Sequence, residues 1–244
     1  MPTDREFSFA GSTLVAERHG SGCPHYVLIH GIGMGRSVFG ELVSQLDGSA
    51  EVISIDLPGY GEAPEPPRVL TMERTADLVA AFLHARVGVP AVIIGHSMGA
   101  QVALEIGARH PDAVAALVLV GPTVDPQART APRQLARLLR DIAVESPQVI
   151  ALGAREYVRA GPNLRLKFRA MLVHRPEDVL GEVTAPTLVL RGEDDLVASR
   201  DWCSTIVAGL PDGRLVEVPD HGHETMIRDA AAAAALIRDF VHDR

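Results

Sequence analysis

A serine between two glycines, a late histidine and an aspartate in a loop are the residues of this chain whose types could do covalent chemistry. Ser97 lies in Val92-Ile93-Ile94-Gly95-His96-Ser97-Met98-Gly99-Ala100. An apolar run enters Gly-x-Ser-x-Gly there, and a helix-forming segment follows at once. A serine on so tight a strand-to-helix turn is expected to be exposed, with the two glycines allowing the bend and a close helix packing. The helix start also brings unpaired amides and a positive dipole end near the hydroxyl. Gly-x-Ser-x-Gly alone is a common pattern; its position between strand and helix makes it specific here.

A serine hydroxyl needs a base, and the base needs an orienting carboxylate. Of the ten histidines, His223 stands in Asp220-His221-Gly222-His223-Glu224, after the strand-like Val216-Glu217-Val218-Pro219. A loop at that point can swing over the carboxyl edge of a sheet. His221 is the local alternative. His84, His110 and His174 read as helix-surface positions, and His242 sits at the C-terminal fringe. His30 reads as a packed residue shaping its loop, and His96 as a side chain directed away from the serine. For the acid, Gly192-Glu193-Asp194-Asp195-Leu196-Val197 offers three carboxylates just past a strand. Asp195 precedes an apolar pair that could anchor the loop, with Glu193 and Asp194 as exposed neighbours; Asp125 is the alternative. The order along the chain is then Ser97, Asp195, His223, and a serine with its base and an orienting acid suits acyl transfer through a covalent acyl-enzyme.

Other chemistries fit less well. His221 and His223 beside Asp220 suggest a metal clip, but a turn containing Gly222 fixes no ligand face, so no metal is expected. The glycines of His30-Gly31-Ile32-Gly33-Met34-Gly35 lack the dinucleotide spacing, and no Gly-Lys-Ser/Thr follows, so no nucleotide cofactor is expected either.

Groups so far apart in the chain can meet only if a sheet carries them to one rim. Two alternating stretches, Phe7–Ala10 and Ser12–Glu17, predict an antiparallel hairpin. The runs Tyr26–His30, Val52–Leu57, Ala91–Ile94 and Ala115–Val120 are short and apolar on both faces, as strands of a buried parallel sheet are. Helical spacing fills the gaps at Val38–Leu46, Thr71–Arg86 and Met98–Arg109. The fold class is therefore α/β: a doubly wound, mostly parallel sheet with an antiparallel N-terminal hairpin. From Pro122 to Thr184 no buried strand is found. Leu135, Leu138, Leu139 and Ile142 mark an amphipathic helix, with further helical pieces at Val149–Val158, Leu164–Val173 and Glu177–Leu180. Pro132, Pro147, Pro162 and Pro176 stand where helices could begin. Residues 122–184 are thus expected to be an inserted helical cap, and residues 1–121 and 185–244 the core. The alternation resumes with a strand at Thr187–Leu190, a helix at Ser199–Leu210, a strand at Arg214–Val218 and a closing helix at Thr225–Val241.

Composition narrows the function classes. The chain has 244 residues, 47% hydrophobic and 22% charged, with a net charge of −8, which fits one large globular domain. An acidic chain of this kind is not expected to grip nucleic acid. Arg155, Arg159, Arg165, Lys167, Arg169 and Arg175 read as the wet faces of helices. No run is long enough to span a membrane, and Met1–Glu6 lacks a secretion-signal layout, so a cytoplasmic protein without a membrane partner is expected. Cys23 and Cys203 are read as ordinary thiols.

These residues resemble the α/β-hydrolase superfamily over nearly the whole chain. The landmarks are His30-Gly31-Ile32-Gly33, Asp56-Leu57-Pro58-Gly59-Tyr60-Gly61, Gly95-His96-Ser97-Met98-Gly99, the Gly192–Asp195 spacing and the late Gly222-His223. The resemblance implies Ser97 as nucleophile, His223 as base, Asp195 as orienting acid, and an oxyanion hole from the backbone N–H groups of Ile32 and Met98. It also places a mobile cap at the Pro122–Thr184 insertion. Relatives that use aspartate as nucleophile are excluded by Ser97. The expected partner is a small-molecule ester, lactone or thioester, with no cofactor. Carbon–carbon hydrolysis, in which Arg155, Arg159 or Arg191 would hold a carboxylate, perhydrolase chemistry and small-molecule reception are the alternatives.

Overall fold

A computed structural model describes residues 5–48, 50–130, 163–227 and 229–243. Eight strands form one sheet: β1 (Glu6–Phe9), β2 (Ser12–Gly20), β3 (His25–Ile29), β4 (Glu51–Asp56), β5 (Ala91–His96), β6 (Val114–Val120), β7 (Thr187–Gly192) and β8 (Gly213–Val218). Their spatial order is β1-β2-β4-β3-β5-β6-β7-β8. The pairs β1–β2 and β2–β4 are antiparallel and the remaining pairs parallel. The expected mostly parallel sheet with an N-terminal hairpin is therefore present.

Among the described residues six α-helices accompany it: α1 (Gly40–Leu46), α2 (Met72–Phe82), α3 (Met98–Arg109), α4 (Leu164–Val173), α5 (Arg200–Gly209) and α6 (Ala231–His242). Alternate residues of each inner strand feed opposite cores. Ile29, Ile93, Leu117 and Val189 pack with α2, α3 and α5 through Leu78, Val102 and Trp202. Leu28, Ile94, Val118 and Leu188 pack with α1 and α6 through Leu42, Ala234 and Ile237. Burial on both faces is why these strands are unbroken apolar runs rather than alternating ones.

Several boundaries differ from the periodicity. The closing helix starts at Ala231 rather than Thr225; residues 225–227 are turns whose Met226 is fully buried in the second core. The helical pattern of Thr71–Arg86 is regular to Phe82 and then widens into a π-helical turn over Leu83–Val87, closed by Gly88 at φ 75°. Glu177–Leu180 is not one helix but parts of two 3₁₀ turns, Pro176–Asp178 and Leu180–Glu182. The helices expected at Leu135–Ile142 and Val149–Val158 lie outside the described residues. So do Pro132, Pro147 and Pro162.

The register sets the rim. Gly95 is level with Ile29 and Leu119, Val120 with His96 and Leu190, and Gly192 with Val218. Loops leaving β3, β5, β6, β7 and β8 therefore emerge at one edge, the usual place for a site on an open parallel sheet.

Candidate active site

Ser97 occupies the single step between β5 and α3, at φ 54° and ψ −113°. A non-glycine residue held there stores about 1–3 kcal/mol of backbone strain, which only a tightly determined surrounding can maintain. That surrounding is visible. The Ser97 amide donates to the Val120 carbonyl at 2.9 Å, tying the turn to the next strand. A Cβ on Gly95 would strike the backbone of Gly99, and one on Gly99 would strike the Ile29 carbonyl. The two glycines thus allow α3 to press against β3 and β5. Contrary to the expectation of an exposed serine, Ser97 is only 7% accessible. The β3 exit packs over it: a Cβ built on Gly31 would lie 3.1 Å from the Ser97 Cβ.

His223 and Asp195 meet at the same rim. The imidazole Nδ1 lies 2.9 Å from Asp195 Oδ2, with both side chains buried. The other carboxylate oxygen, Oδ1, accepts the amides of Val197 at 2.7 Å and Ala198 at 2.8 Å. Burial alone would raise the Asp195 carboxyl. The neighbouring His223, its hydrogen bond and these two amides outweigh burial and hold it below the usual carboxylate value. An ionised Asp195 accepts from Nδ1–H, which leaves Nε2 as the ring's basic nitrogen. Gly121, at φ 52°, makes room for the pair, since a Cβ there would come within 2.9 Å of the imidazole and 3.1 Å of Asp195 Oδ2.

The alternatives are engaged elsewhere. Asp125 Oδ1 accepts the Gln127 amide and its Oδ2 the Ser199 hydroxyl, so this carboxylate joins the β6 exit to the start of α5. His221 is partly exposed and donates from Nδ1 to the Pro219 carbonyl at 2.7 Å. Only half of the expected apolar anchor after Asp195 is inside: Val197 is buried, whereas Leu196 is 46% exposed. The loop is braced instead by Arg191, which donates to the carbonyls of Ala198 and Asp195 and pairs with Glu217. With its guanidinium so occupied, Arg191 does not fit the role of a substrate-carboxylate holder; Arg155 and Arg159 lie outside the described residues.

Ile32 follows Gly31 beside Ser97, and Met98 opens α3, where first-turn amides have no intrahelical partner. The β3 exit is shaped by His30, which is fully buried. Its Nε2 accepts the Leu57 amide at 3.1 Å, so Nδ1 carries the proton and donates to the Gly31 carbonyl at 2.7 Å. His96 is also buried, and its Nε2 lies 3.1 Å from the His223 carbonyl.

The underside of α4 departs most from the sequence reading. Arg165 and Arg169 are exposed as expected, but Lys167 is 4% accessible. Its Nζ donates to the Gly59 carbonyl at 2.5 Å and to Glu65 Oε2 at 2.9 Å, and stands 4.5 Å from the centre of the Tyr60 ring. His174, expected on a helix surface, is buried and paired with the buried Glu105 of α3 at 2.7 Å. Gln101 of α3 donates to the Met171 carbonyl at 3.2 Å. Charged and amide groups thus bind α4 to the elbow helix and to the loop after β4. An apolar cavity of about 30 Å³ lies between them, lined in part by Leu57, Tyr60, Met98 and Val102. Among the described residues, one cluster with metal-ligating chemistry is Glu73, Glu105 and His174, within 4.8 Å of one another. Within it, His174 Nε2 already pairs with Glu105 Oε1.

The sequence profile of the alpha/beta hydrolase family matches residues 26–236. A pimeloyl-[acyl-carrier protein] methyl ester esterase of Neisseria meningitidis is 30% identical over 240 residues, spanning 88% of this chain and 75% of that protein. The fold is shared with a thermophilic esterase from Thermogutta terrifontis, at 23% identity and a TM-score of 0.82 over 98% of this chain and 97% of the other. It is shared also with the enol-lactonase from Burkholderia xenovorans LB400, at 21% identity and a TM-score of 0.82 over 97% and 99%. A profile match running from β3 into α6, with a relative of this similarity, makes the chain a member of the alpha/beta hydrolase family.

Proposed function

We propose that this protein is a serine hydrolase of small or medium carboxylic esters, working through an acyl-enzyme. The observation that carries the reading is the strained Ser97 at the head of α3, on the same rim as a His223 whose Nδ1 is held by buried Asp195. In this reading His223 Nε2 takes the Ser97 proton as the hydroxyl attacks the ester carbonyl. Asp195 keeps the ring in the required tautomer and stabilises the imidazolium that forms. The amides of Ile32 and Met98 receive the developing oxyanion, each such donor being worth ~2.7–4 kcal/mol in related chemistry. His223 then returns the proton to the departing alcohol, and water, activated by the same ring, releases the acid. In this reading residues 122–184, of which 131–162 lie outside the described residues, supply the family's cap. The names of the relatives favour a methyl or other small-alcohol ester of an acyl chain over a lactone or thioester.

The test is a panel of p-nitrophenyl and methyl esters, lactones and diketo acids, with fluorophosphonate labelling read by mass spectrometry. The expected result is ester turnover and one covalent adduct on Ser97. In Ser97→Ala both vanish, a loss on the order of 10⁶-fold in rate by analogy with other serine hydrolases, while the melting temperature is kept. Adduct formation in the alanine variant would overturn the assignment of the nucleophile.

A further inference from the structure

His96 is a buried titratable residue for which the chemistry above has no use, and it touches more of the rim than any acyl-transfer step requires. It is fully buried between the elbow and the loop after β8. A carbonyl oxygen can only accept, so the 3.1 Å contact between His96 Nε2 and the His223 carbonyl fixes the proton on Nε2. Nδ1 then carries a lone pair, and among the described residues it has no hydrogen-bond partner. That edge of the ring faces the β3 exit, 3.1 Å from where a Cβ of Gly31 would sit. The opposite edge lies along His223, with ring centres 5.0 Å apart and planes tilted by 44°. One imidazole therefore spans the strand exit that carries Ile32, the turn that carries Ser97 and the backbone of His223.

We infer that His96 is a positioning residue for His223, its Nε2–H tethering the backbone of the base to the turn that carries the nucleophile. The inference rests on the serine-hydrolase reading and adds a residue to it. Asp195 fixes the direction in which the His223 ring points, and the Asp194 amide, donating to the His221 carbonyl at 2.9 Å, holds the start of its loop to the β7 exit. That loop contains Gly222 and follows Asp220 at φ 57°, and residues 223–227 are turns rather than helix, α6 beginning only at Ala231. The bond from His96 attaches the His223 backbone itself to the element that carries the attacking oxygen, which neither of those contacts does. Burial, followed by the adjacent His223, pushes His96 down to about 3. It therefore stays neutral while His223 gains its proton and adds no like charge beside the imidazolium.

His96→Met removes the donor at similar length, and His96→Gln restores an N–H near the depth of Nε2. Each is made in the wild-type and in the His223→Ala background. Steady-state kinetics against pH and the fluorophosphonate labelling rate are measured with the full chain. In the wild-type background His96→Met should lower kcat ~10–100-fold, the scale of an ångström-level misplacement, with KM little changed and the acid limb of the pH profile displaced. His96→Gln should recover most of that rate. In the His223→Ala background the same methionine should cost nothing further, because a residue acting through the base has no effect once the base is gone. Unchanged kcat and pH profile in a folded His96→Met protein would overturn the inference, and so would an equal loss in both backgrounds. If the methionine variant does not fold, His96→Asn, whose amide ends short of Nε2, takes its place with the same two outcomes. A wild-type protein inert to fluorophosphonate would instead sink the hydrolase reading, while labelling at the wild-type rate in His96→Met would sink the tether alone.

Discussion

Around Asp195, short contacts from neighbouring strand exits hold the carboxylate: two amides of its own loop, one imidazole, and Arg191 bracing the loop behind it. The underside of α4 is held differently, by long side chains that reach across to other elements, Lys167 to Gly59 and Glu65 and His174 to Glu105. In the first region the backbone positions the charge; in the second the charge positions the backbone. The difference shows in what each region should lose when cut. A carboxylate satisfied by its own loop can change its chemistry with little effect on the fold, whereas a buried partner removed from α4 leaves an unpaired group behind.

The largest effect should come from the rim. Asp195→Asn keeps the shape but favours the wrong tautomer of His223, and should lower kcat on the order of 10⁴-fold with a nearly unchanged far-ultraviolet spectrum and melting temperature. Retained kcat would break the comparison at its first term. Next comes α4: His174→Leu strands the Glu105 carboxylate and should cost about 3–5 kcal/mol of stability, read by urea unfolding, while the residual folded protein keeps its kcat within a few-fold. An activity loss as deep as that of Asp195→Asn would mean that the two regions are not separable.

A smaller effect belongs to His96. Its folded value, about 3, lies below the free value of 6.5. As pH falls from 6.5 toward 3 the unfolded chain takes up a proton that the folded chain refuses, so stability is lost across that window. His96→Gln should flatten the fall in urea midpoint between those values; an unaltered slope would show that the ring is already protonated inside. The smallest effect is expected at Asp125, the other aspartate after a strand. Asp125→Ala removes a cap and a hydroxyl contact and should cost ~1 kcal/mol with unchanged kcat, which separates it from its counterpart at 195.

Much of the architecture was legible because it is local. Unbroken apolar runs announced the parallel strands, and Met98–Arg109 was bounded correctly since Gly95 and Gly99 punctuate it at one end and His110-Pro111 at the other. The misreadings share one cause. Lys167 and His174 are polar side chains on a helical pattern, which locally means a wet face. They are buried because partners roughly seventy to a hundred positions away, Glu105 and Glu65, come to meet them. His96 escapes a local reading for the same reason, since its partner is the carbonyl of His223, 127 residues on.

The chain alone thus determined the order of strands and helices, the elbow at Ser97 and the type of chemistry to look for. These follow from periodicity and from glycine spacing, which act over a few residues. Tertiary structure decided which of several aspartates and histidines face each other, and which cations are inside. Those outcomes depend on strand register and on loops converging from distant segments, and no short stretch of sequence contains both halves of such a contact.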